Sequence, residues 1–259
     1  MTIQGYRAAL VTGAGSGIGR AIADDLAARG APIAVCDINL SAAQEAAERI
    51  RSSGGRALAV QMDVTDAAAV DAGFAHAEAE LGEIDIAVNS AGLLIVQSLL
   101  DFTPDAFARV MAVNVTGSFL VGQRAAKAMV PRRYGRIVNI ASISGLRAGV
   151  GRTAYGTSKA AVIGLTRQFA LELGAHGITT NAVAPGAVET PMTLGSYSDK
   201  TWEQVLSMIP ARRIGQVKDI ASAVGYLTSP DASYVNGDVL AVDGGYLASG
   251  MTQTGQLQV

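Results

Sequence analysis

The amino-acid sequence predicts an α/β protein built on a doubly wound parallel sheet, and three observations support this fold class. Short apolar runs alternate with amphipathic stretches of helical length, which is typical of strand–helix–strand units. Most of the runs are apolar throughout, like strands that are buried on both faces. A glycine-rich segment follows the first run, at the carboxyl end of a strand, where such sheets bind ligands. We see no low-complexity linker or internal repeat and predict one domain over 1–259.

Seven apolar runs are the predicted strands, and several helices between them have recognisable ends. Gly30 closes the first helix, because glycine tolerates the left-handed conformation found at helix C-termini. Ser41 and Gln44 form a capping box for the second helix. Thr103 caps a later helix whose first residue is Pro104. The predicted strands are residues 8–11, 33–36, 57–61, 84–89, 136–141, 179–184 and 240–242.

Composition excludes several classes of function. The net charge is −2 and no basic block occurs, so we expect no nucleic-acid partner. The lone Cys36 excludes an intrachain disulfide, and no Cys/His cluster has metal-binding spacing, so we expect no metal. No apolar run approaches the roughly 18 residues of a membrane span. The glycine segment that begins at Gly13 leaves no room for a signal peptide, so we predict a soluble cytoplasmic protein with a small-molecule substrate.

The glycine-rich segment predicts a phosphate-binding loop. Gly13, Gly15, Gly17 and Gly19 lie at the first strand-to-helix turn. A helix N-terminus offers free N–H groups to an anion, and glycine lets the backbone approach it closely. An ordinary tight turn is the alternative, but a turn needs only one or two glycines.

The spacing of these glycines, with Thr12 before them and Ile18 among them, resembles the TGxxxGxG loop of the short-chain dehydrogenase/reductase family. The match runs from about residue 5 to residue 247, and only the tail lies outside it. It implies a Rossmann-type sheet of about seven strands in the order 3-2-1-4-5-6-7 and a nicotinamide cofactor. The other motifs that follow in family order are Asp63 and Val64, Asn89-Ser90-Ala91-Gly92 (with Ser90 in place of the family's second Asn), Asn114, Ser142, Tyr155-Gly-Thr-Ser-Lys159, Pro185-Gly186, and Thr190.

The resemblance also implies which residues bind the cofactor. The residue that matches Asp63 holds the adenine in family members, and the residue that matches Lys159 bonds the nicotinamide ribose. The cofactor-binding residues predicted in this way are Gly13, Gly15, Ser16, Gly17, Ile18, Gly19, Asp37, Ile38, Asp63, Val64, Asn89, Ala91, Gly92, Tyr155, Lys159, Pro185, Gly186, Val188 and Thr190.

A catalytic pair can be argued from the residues alone. Tyr155 and Lys159 are four residues apart on a predicted helix and therefore share a face. A phenol is a poor base at neutral pH, but a nearby ammonium favours the phenolate, which can exchange a proton with a substrate hydroxyl. About 0.1 such pairs would arise by chance in this composition.

The family supplies roles for two further catalytic candidates. Asn114 continues the apolar stripe of Phe107 and Val110, so an ordinary core amide is the alternative; the resemblance implies that it anchors a water of a proton relay. Ser142 follows the fifth strand, and the resemblance implies that it holds the substrate oxygen. We interpret His76 and His176 as surface helix residues.

The cofactor is predicted to be NAD. Asp37 ends the second strand, 18 residues after Gly19, where an acidic side chain accepts hydrogen bonds from the adenosine ribose. The same carboxylate repels a 2′-phosphate. NADP-dependent relatives usually carry a basic residue where this chain has Ser16 or Ile38, and neither of these can pair with a phosphate. Arg20 is the one basic residue next to the loop, but it lies a turn into the helix.

The substrate pocket is predicted to be mostly apolar. This favours a secondary alcohol or ketone with an apolar arm, but a polyol or sugar stays open because the lid, residues 190–208, also carries Ser196, Tyr197, Ser198 and Asp199. Arg147 and Arg152 either meet an anionic substrate or, as we favour, contact solvent or a neighbouring subunit. The predicted substrate residues are Leu93, Leu94, Ser142, Ser144, Val150, Tyr155, Ala187 and Met192.

The sequence therefore indicates an NAD-dependent alcohol or polyol dehydrogenase with Tyr155 as acid and base. A 3-oxoacyl-carrier-protein reductase, which usually takes NADPH, and a non-catalytic cofactor-binding scaffold are the alternatives. The spacing of Tyr155 and Lys159 sets enoyl reductases aside. The family commonly forms tetramers, so we expect a homotetramer, with the uncharged tail, 248–259, packed on a neighbouring subunit. The basic run at 132–136 is predicted to be a solvated turn.

Overall fold

A parallel sheet forms the centre of the computed structural model, which describes residues 7–194, 196 and 198–249. Within these residues the strand order is β3-β2-β1-β4-β5-β6-β7, and every neighbouring pair is parallel, which confirms the predicted fold class. The strands are β1 Ala8–Thr12, β2 Ile33–Asp37, β3 Ala57–Gln61, β4 Ile84–Asn89, β5 Gly135–Ile140, β6 Ile178–Pro185 and β7 Val239–Val242.

Helices cover both faces of the sheet. Side chains of α1, α2 and α9 pack on one face, around Ile22, Leu26 and Val224. Side chains of α3, α5 and α6 pack on the other, around Phe74 and Val121. The helices are α1 Gly17–Ala28, α2 Leu40–Ser52, α3 Ala67–Leu81, α4 Pro104–Met111, α5 Gly117–Met129, α6 Thr153–Leu173, α7 Pro191–Leu194, α8 Asp199–Ser207 and α9 Val217–Leu227, with a π-helical turn, Ala112–Thr116, joining α4 to α5.

The predicted helix ends are confirmed in two cases and wrong in one. Gly30 follows α1 with φ +96°, and the Thr103 hydroxyl accepts a hydrogen bond from Ala106 N at the start of α4. The capping box of Ser41 and Gln44 is not formed. Helix α2 begins two residues earlier than this box would place it, and the Asn39 side chain caps it by accepting from Ala42 N at 3.2 Å.

The basic run at 132–136 is not the solvated turn that we expected. Gly135 begins β5, and Arg136 is 4% exposed because it lies inside the sheet. Its guanidinium lies 4.7 Å from the Tyr134 ring centroid. Arg132 donates to the buried carboxylate of Asp85 at 3.0 Å, so this segment fixes the amino-terminal edge of the sheet.

Two short helices, α7 and α8, form the described part of the predicted lid, while Tyr197 lies outside the described residues. In the tail, Gly250 to Val259 also lie outside them, so its predicted packing stays a prediction. Among the described residues, no helix is both long and apolar enough to cross a membrane, and no group of three potential metal ligands occurs.

Candidate active site

A cavity of about 590 Å³ opens at the carboxyl ends of the central strands. Parallel strands bring their carboxyl ends to one edge, which is why motifs far apart in the sequence meet here. Most predicted cofactor residues line it: Gly13, Ser16, Gly17, Ile18, Gly19, Asp37, Ile38, Asp63, Val64, Ala91, Gly92, Tyr155, Lys159, Pro185, Gly186, Val188 and Thr190.

The glycine loop packs closely against the turn after β4 and leads into the N-terminus of α1. Gly13 has φ +62°, and a Cβ there would lie 2.8 Å from the Ala91 Cα. Gly17 has φ +53° and begins α1, whose first turn carries no acidic side chain. Ser16, the N-cap residue, makes no side-chain capping bond. The helix N-terminus therefore faces the cavity with N–H groups available to an anion.

Asp37 joins the glycine loop to the second strand. Its Oδ2 accepts from Gly15 N at 3.0 Å, and its Oδ1 accepts from Asn39 N at 3.0 Å. Gly15 does not line the cavity, and a Cβ at this position would lie 2.7 Å from the Ala42 Cβ. The role that the structure gives Gly15 is to hold the carboxylate at the cavity wall.

Asn89 supports the cavity floor from below. It is 4% exposed and does not line the cavity; its Nδ2 donates to Asn139 Oδ1 at 2.8 Å. The hydroxyl oxygen of Thr12 accepts from Ser90 N and Ala91 N, both at 3.1 Å. These bonds fix the turn after β4, which carries the cavity residues Ala91 and Gly92.

Lys159 is a buried cation beside the Tyr155 ring. Its Nζ donates to Ile140 O at 2.7 Å and lies 5.6 Å from the Tyr155 ring centroid. Burial lowers the pKa of Lys159 from 10.5 to about 8, so the side chain is mostly charged at neutral pH. A positive charge at this distance favours the phenolate form of Tyr155.

Ser142 completes the polar part of the wall. It lies after β5 and is 8% exposed, and its Oγ accepts from Ser144 N at 3.1 Å. Among the described residues, no acceptor for the Ser142 hydroxyl proton is found. Ser142 can therefore donate a hydrogen bond to a substrate oxygen near Tyr155.

Asn114 is fully buried behind the cavity rather than on its surface. Its Oδ1 accepts from Leu93 N at 2.7 Å, and its Nδ2 donates to Leu93 O at 3.0 Å and to Ser158 Oγ at 2.8 Å. The π-helical turn places it there. Asn114 thereby fixes the cavity residue Leu93, and the relay function implied by the resemblance stays a prediction.

Comparison with known proteins identifies the family. Residues 13–247 match the family model described as enoyl-(acyl carrier protein) reductase. The chain belongs to the short-chain dehydrogenase/reductase family. The glycine loop, the buried lysine and the tyrosine beside it are thus family features of an oxidoreductase that the structure brings to one cavity.

Relatives within this family carry several different names. The chain is 38% identical over 246 residues to 3-oxoacyl-[acyl-carrier-protein] reductase FabG of Salmonella typhimurium, covering 95% of this chain and 98% of the relative. It is 43% identical over 247 residues to (3R)-3-hydroxyacyl-CoA dehydrogenase of Canis lupus familiaris, covering 92% and 95%. A 7α-hydroxysteroid dehydrogenase structure with NADH and 7-oxo glycochenodeoxycholic acid has a TM-score of 0.90 at 36% identity, covering 93% and 94%.

The cavity of this short-chain dehydrogenase/reductase fits a nicotinamide dinucleotide. The glycine loop and the start of α1 suit its diphosphate, because Ser16 and Gly17 line the cavity at a helix N-terminus whose first N–H groups are available there. Asp37 is placed to accept from ribose hydroxyls. Lys159 and Tyr155 stand at the other end, where the nicotinamide and substrate would meet.

Four predicted substrate residues do not line the cavity. Val150 is fully exposed in the loop before α6, and Leu94 and Ser144 are half-buried outside the cavity. Ala187 lines a second cavity of about 460 Å³ instead. Leu93, Ser142, Tyr155 and Met192 do line the main cavity.

Several lining residues were missed by sequence reasoning. Neighbours of motif residues, such as Met62 beside Asp63, could have been found from the motif positions. Val113, beside Asn114, could have been found in the same way, whereas Arg109 lies on α4 five residues before that motif residue. The missed lining residues are Met62, Ser90, Arg109, Val113, Ile140, Ala141, Pro191 and Thr193.

The remaining basic candidates lie outside this cavity. The Arg147 guanidinium lies 5.4 Å from the Tyr246 ring centroid, and that of Arg152 lies 5.7 Å from the Tyr155 ring centroid. His76 is exposed on α3, as predicted, whereas His176 is half-buried in a turn after α6.

Proposed function

We propose that this protein is an NAD-dependent oxidoreductase that moves a hydride between nicotinamide C4 and the carbon of a secondary alcohol or ketone. The observation that carries the proposal is the convergence of Tyr155, Lys159 and Ser142 on a cavity that also contains the glycine loop. A bound nicotinamide would supply the carbon that accepts or gives the hydride.

The protein's own residues would manage the proton. In oxidation, the Tyr155 phenolate takes the proton of the substrate hydroxyl, and in reduction the phenol returns it to the carbonyl oxygen. The Ser142 hydroxyl donates a hydrogen bond to the same oxygen and orients the carbon. The Lys159 ammonium lowers the energy of the phenolate, and its bond to Ile140 O fixes its position.

Asp37 supports the choice of NAD over NADP. Its carboxylate lies at the cavity wall, held by Gly15 N, and it would repel a 2′-phosphate. We expect kcat/KM on one substrate to favour NAD by at least about tenfold, or ~1.4 kcal/mol. Equal values, or a preference for NADP, would contradict this reading.

Two variants of Asp37 separate charge from structure. Asp37→Asn keeps the size and an acceptor for Gly15 N, and it should erode the NAD preference by removing the charge. Asp37→Ala also removes the acceptor for Gly15 N, so it should weaken the binding of both cofactors as well. Asp231→Ala, a change at an exposed carboxylate after α9, is the matched control and should leave the ratio unchanged.

The apolar wall supports a substrate with an apolar arm. Leu93, Val188 and Met192 line the cavity beside Ser142 and Tyr155. A panel of secondary alcohols, ketones, polyols and sugars, assayed with both cofactors, tests this class. Strong preference for a sugar phosphate would contradict it.

A 3-oxoacyl or 3-hydroxyacyl thioester is the second candidate substrate. It is favoured by the relatives named for such compounds, at 38% and 43% identity. Including a 3-oxoacyl thioester in the same panel separates the two. Turnover of any substrate excludes a non-catalytic scaffold, which would bind NADH without reaction.

We propose a cytoplasmic homotetramer that uses α6 at an interface. Gly164 and Leu171 lie two turns apart on α6; no described atom lies within 4 Å of a Cβ built at Gly164, and Leu171 is 78% exposed. Light scattering should give four times the chain mass, and Leu171→Glu should lower it. The buried free thiol of Cys36 suits a reducing compartment, which cell fractionation tests.

A further inference from the structure

Arg109 is a cation on the cavity wall that the proposed chemistry does not use. It lies on α4, is exposed to solvent and lines the main cavity. Among the described residues, no hydrogen bond or ion pair of its guanidinium is found. A planar, permanently charged group is therefore available to a bound ligand at this wall.

The position of Arg109 is fixed by the residues that follow it along the helix. Val113, four residues later, packs in the core cluster that contains Met62 and Val64. Gly117, four residues further, lies so close to Val64 that a Cβ there would be 2.7 Å from its Cγ2. Val113 and Gly117 therefore lie along the segment after β3, and Arg109, one turn before Val113, lines the same cavity as this segment.

The chemistry of these residues suits a flat, neutral ring better than a phosphate. The cavity lining includes the apolar side chains of Met62, Val64, Val113 and Ile38, and Asp37 and Asp63 line the same cavity. Two carboxylates disfavour another anion. An aromatic base, in contrast, can bury its faces against the apolar side chains and accept a guanidinium on one of them.

We propose that the Arg109 guanidinium stacks on the adenine ring of the bound dinucleotide. NAD and NADP carry the same adenine, so Arg109 strengthens the binding of both equally and does not select between them. The proposal rests on nicotinamide dinucleotide binding and is independent of the choice between NAD and NADP.

The test is equilibrium binding, which needs no substrate. Arg109→Gln should weaken the binding of ADP-ribose, NADH and NADPH by the same factor of about five, which is the effect expected from losing a partly exposed cation–ring contact. Binding of reduced nicotinamide mononucleotide, which has no adenine, should not change. Arg109→Lys keeps the charge but loses the plane, so it should still bind ADP-ribose at least about twofold more weakly than the wild type.

The control and the contrary outcomes are equally specific. Arg167→Gln, a change at an exposed arginine of α6 outside the cavity, should leave all four affinities unchanged. Weakened binding of NADPH alone would assign Arg109 to the 2′-phosphate and overturn the proposal. Unchanged binding of ADP-ribose, or full recovery with Arg109→Lys, would also overturn it. If the wild type itself binds no ADP-ribose, dinucleotide binding fails together with this inference.

Discussion

Replacing Lys159 by methionine should stabilise the folded protein at neutral pH while removing its turnover. Methionine has a similar length and volume but no charge, so the substitution removes the cation without opening a cavity. Lys159 is 5% exposed, and within the described part of the chain its Nζ donates one hydrogen bond, to Ile140 O. The folded state therefore carries a nearly dehydrated ammonium with little compensation.

The magnitude follows from the pKa of Lys159. Burial lowers that pKa from 10.5 to about 8, which at 1.36 kcal/mol per pKa unit corresponds to about 3 kcal/mol. Losing the hydrogen bond to Ile140 O costs about 2 kcal/mol. At pH 7 the variant should therefore be more stable by about 1 kcal/mol, which raises Tm by roughly 2–4 °C for a chain of this size.

The way this stability difference changes with pH shows whether burial of the Lys159 ammonium causes it. The folded pKa of Lys159 is below the unfolded one, so below about pH 8 both states are protonated and the burial penalty is fully present. Between about pH 8 and 10.5 the unfolded state binds more protons, so the stability of the wild type rises with pH. The advantage of Lys159→Met should therefore shrink by about 2 kcal/mol between pH 7 and pH 9.5.

The assay is urea unfolding of both proteins at fixed protein concentration across this pH range, because assembly makes stability depend on concentration. Lys127→Met, a change at an exposed lysine of α5, is the matched control and should show no such pH dependence. If Lys159→Met is destabilised by the same amount at pH 7 and at pH 9.5, the burial argument is refuted.

Three further substitutions test the remaining parts of the site. Gly13→Ala should weaken NADH binding at least about tenfold, because its Cβ would lie 2.8 Å from the Ala91 Cα and would push the glycine loop out of position. An unchanged titration of NADH fluorescence would contradict the proposed binding of the diphosphate at this loop. Asn114→Asp should lower the free energy of unfolding by about 2–4 kcal/mol, because a carboxylate oxygen would replace the Nδ2 donor that faces Leu93 O. An unchanged urea midpoint would contradict the stabilising role of these buried hydrogen bonds. Ser142→Ala should lower kcat about 10–100-fold with NADH affinity kept, and an equal loss of both would indicate a structural role.

The strands, and the edge of the sheet at which the site lies, could be predicted because a parallel sheet places strong constraints on the sequence. Strands buried on both faces require apolar residues at every position, so their runs stand out, and each predicted strand overlaps an observed one. Ligand-binding residues must follow strand ends, so motifs such as Ser142 could be located by counting from the runs. Five of the seven observed strands differ from the predicted ones by one residue at one or both ends, as at Thr12 and Asp37.

Tertiary contacts decide the features that the sequence did not predict. Both Asn39 and Ser41 are suitable caps for α2, and the path of the chain after β2 determines that Asn39 is used. The π-helical turn at Asn114 has no sequence signal, because it depends on the bonds that Asn114 makes to Leu93 and Ser158. Arg136 falls in both the predicted strand 136–141 and the predicted turn 132–136, and the structure places it in the strand, where neighbouring strands bury it.

Predictions about lining residues failed where a side chain's direction matters. Val150 is close in sequence to Tyr155, but the loop that carries it turns the side chain to solvent. Arg109 lies five residues before Asn114, on α4, and it lines the cavity although no strand end precedes it. Distance along the chain is a poor guide for residues of loops and helices, whereas it is reliable for residues at strand ends.

The central claim is that Tyr155 exchanges the proton of an oxidoreductase reaction, and Tyr155→Phe tests it most directly. This change removes only the hydroxyl and leaves the ring beside Lys159 in place. Turnover of the best substrate from the panel should fall by about 10²–10⁴, while the Kd for NADH stays within about twofold of the wild type. A variant that keeps more than about a tenth of wild-type turnover, with chemistry rate-limiting, would contradict the account.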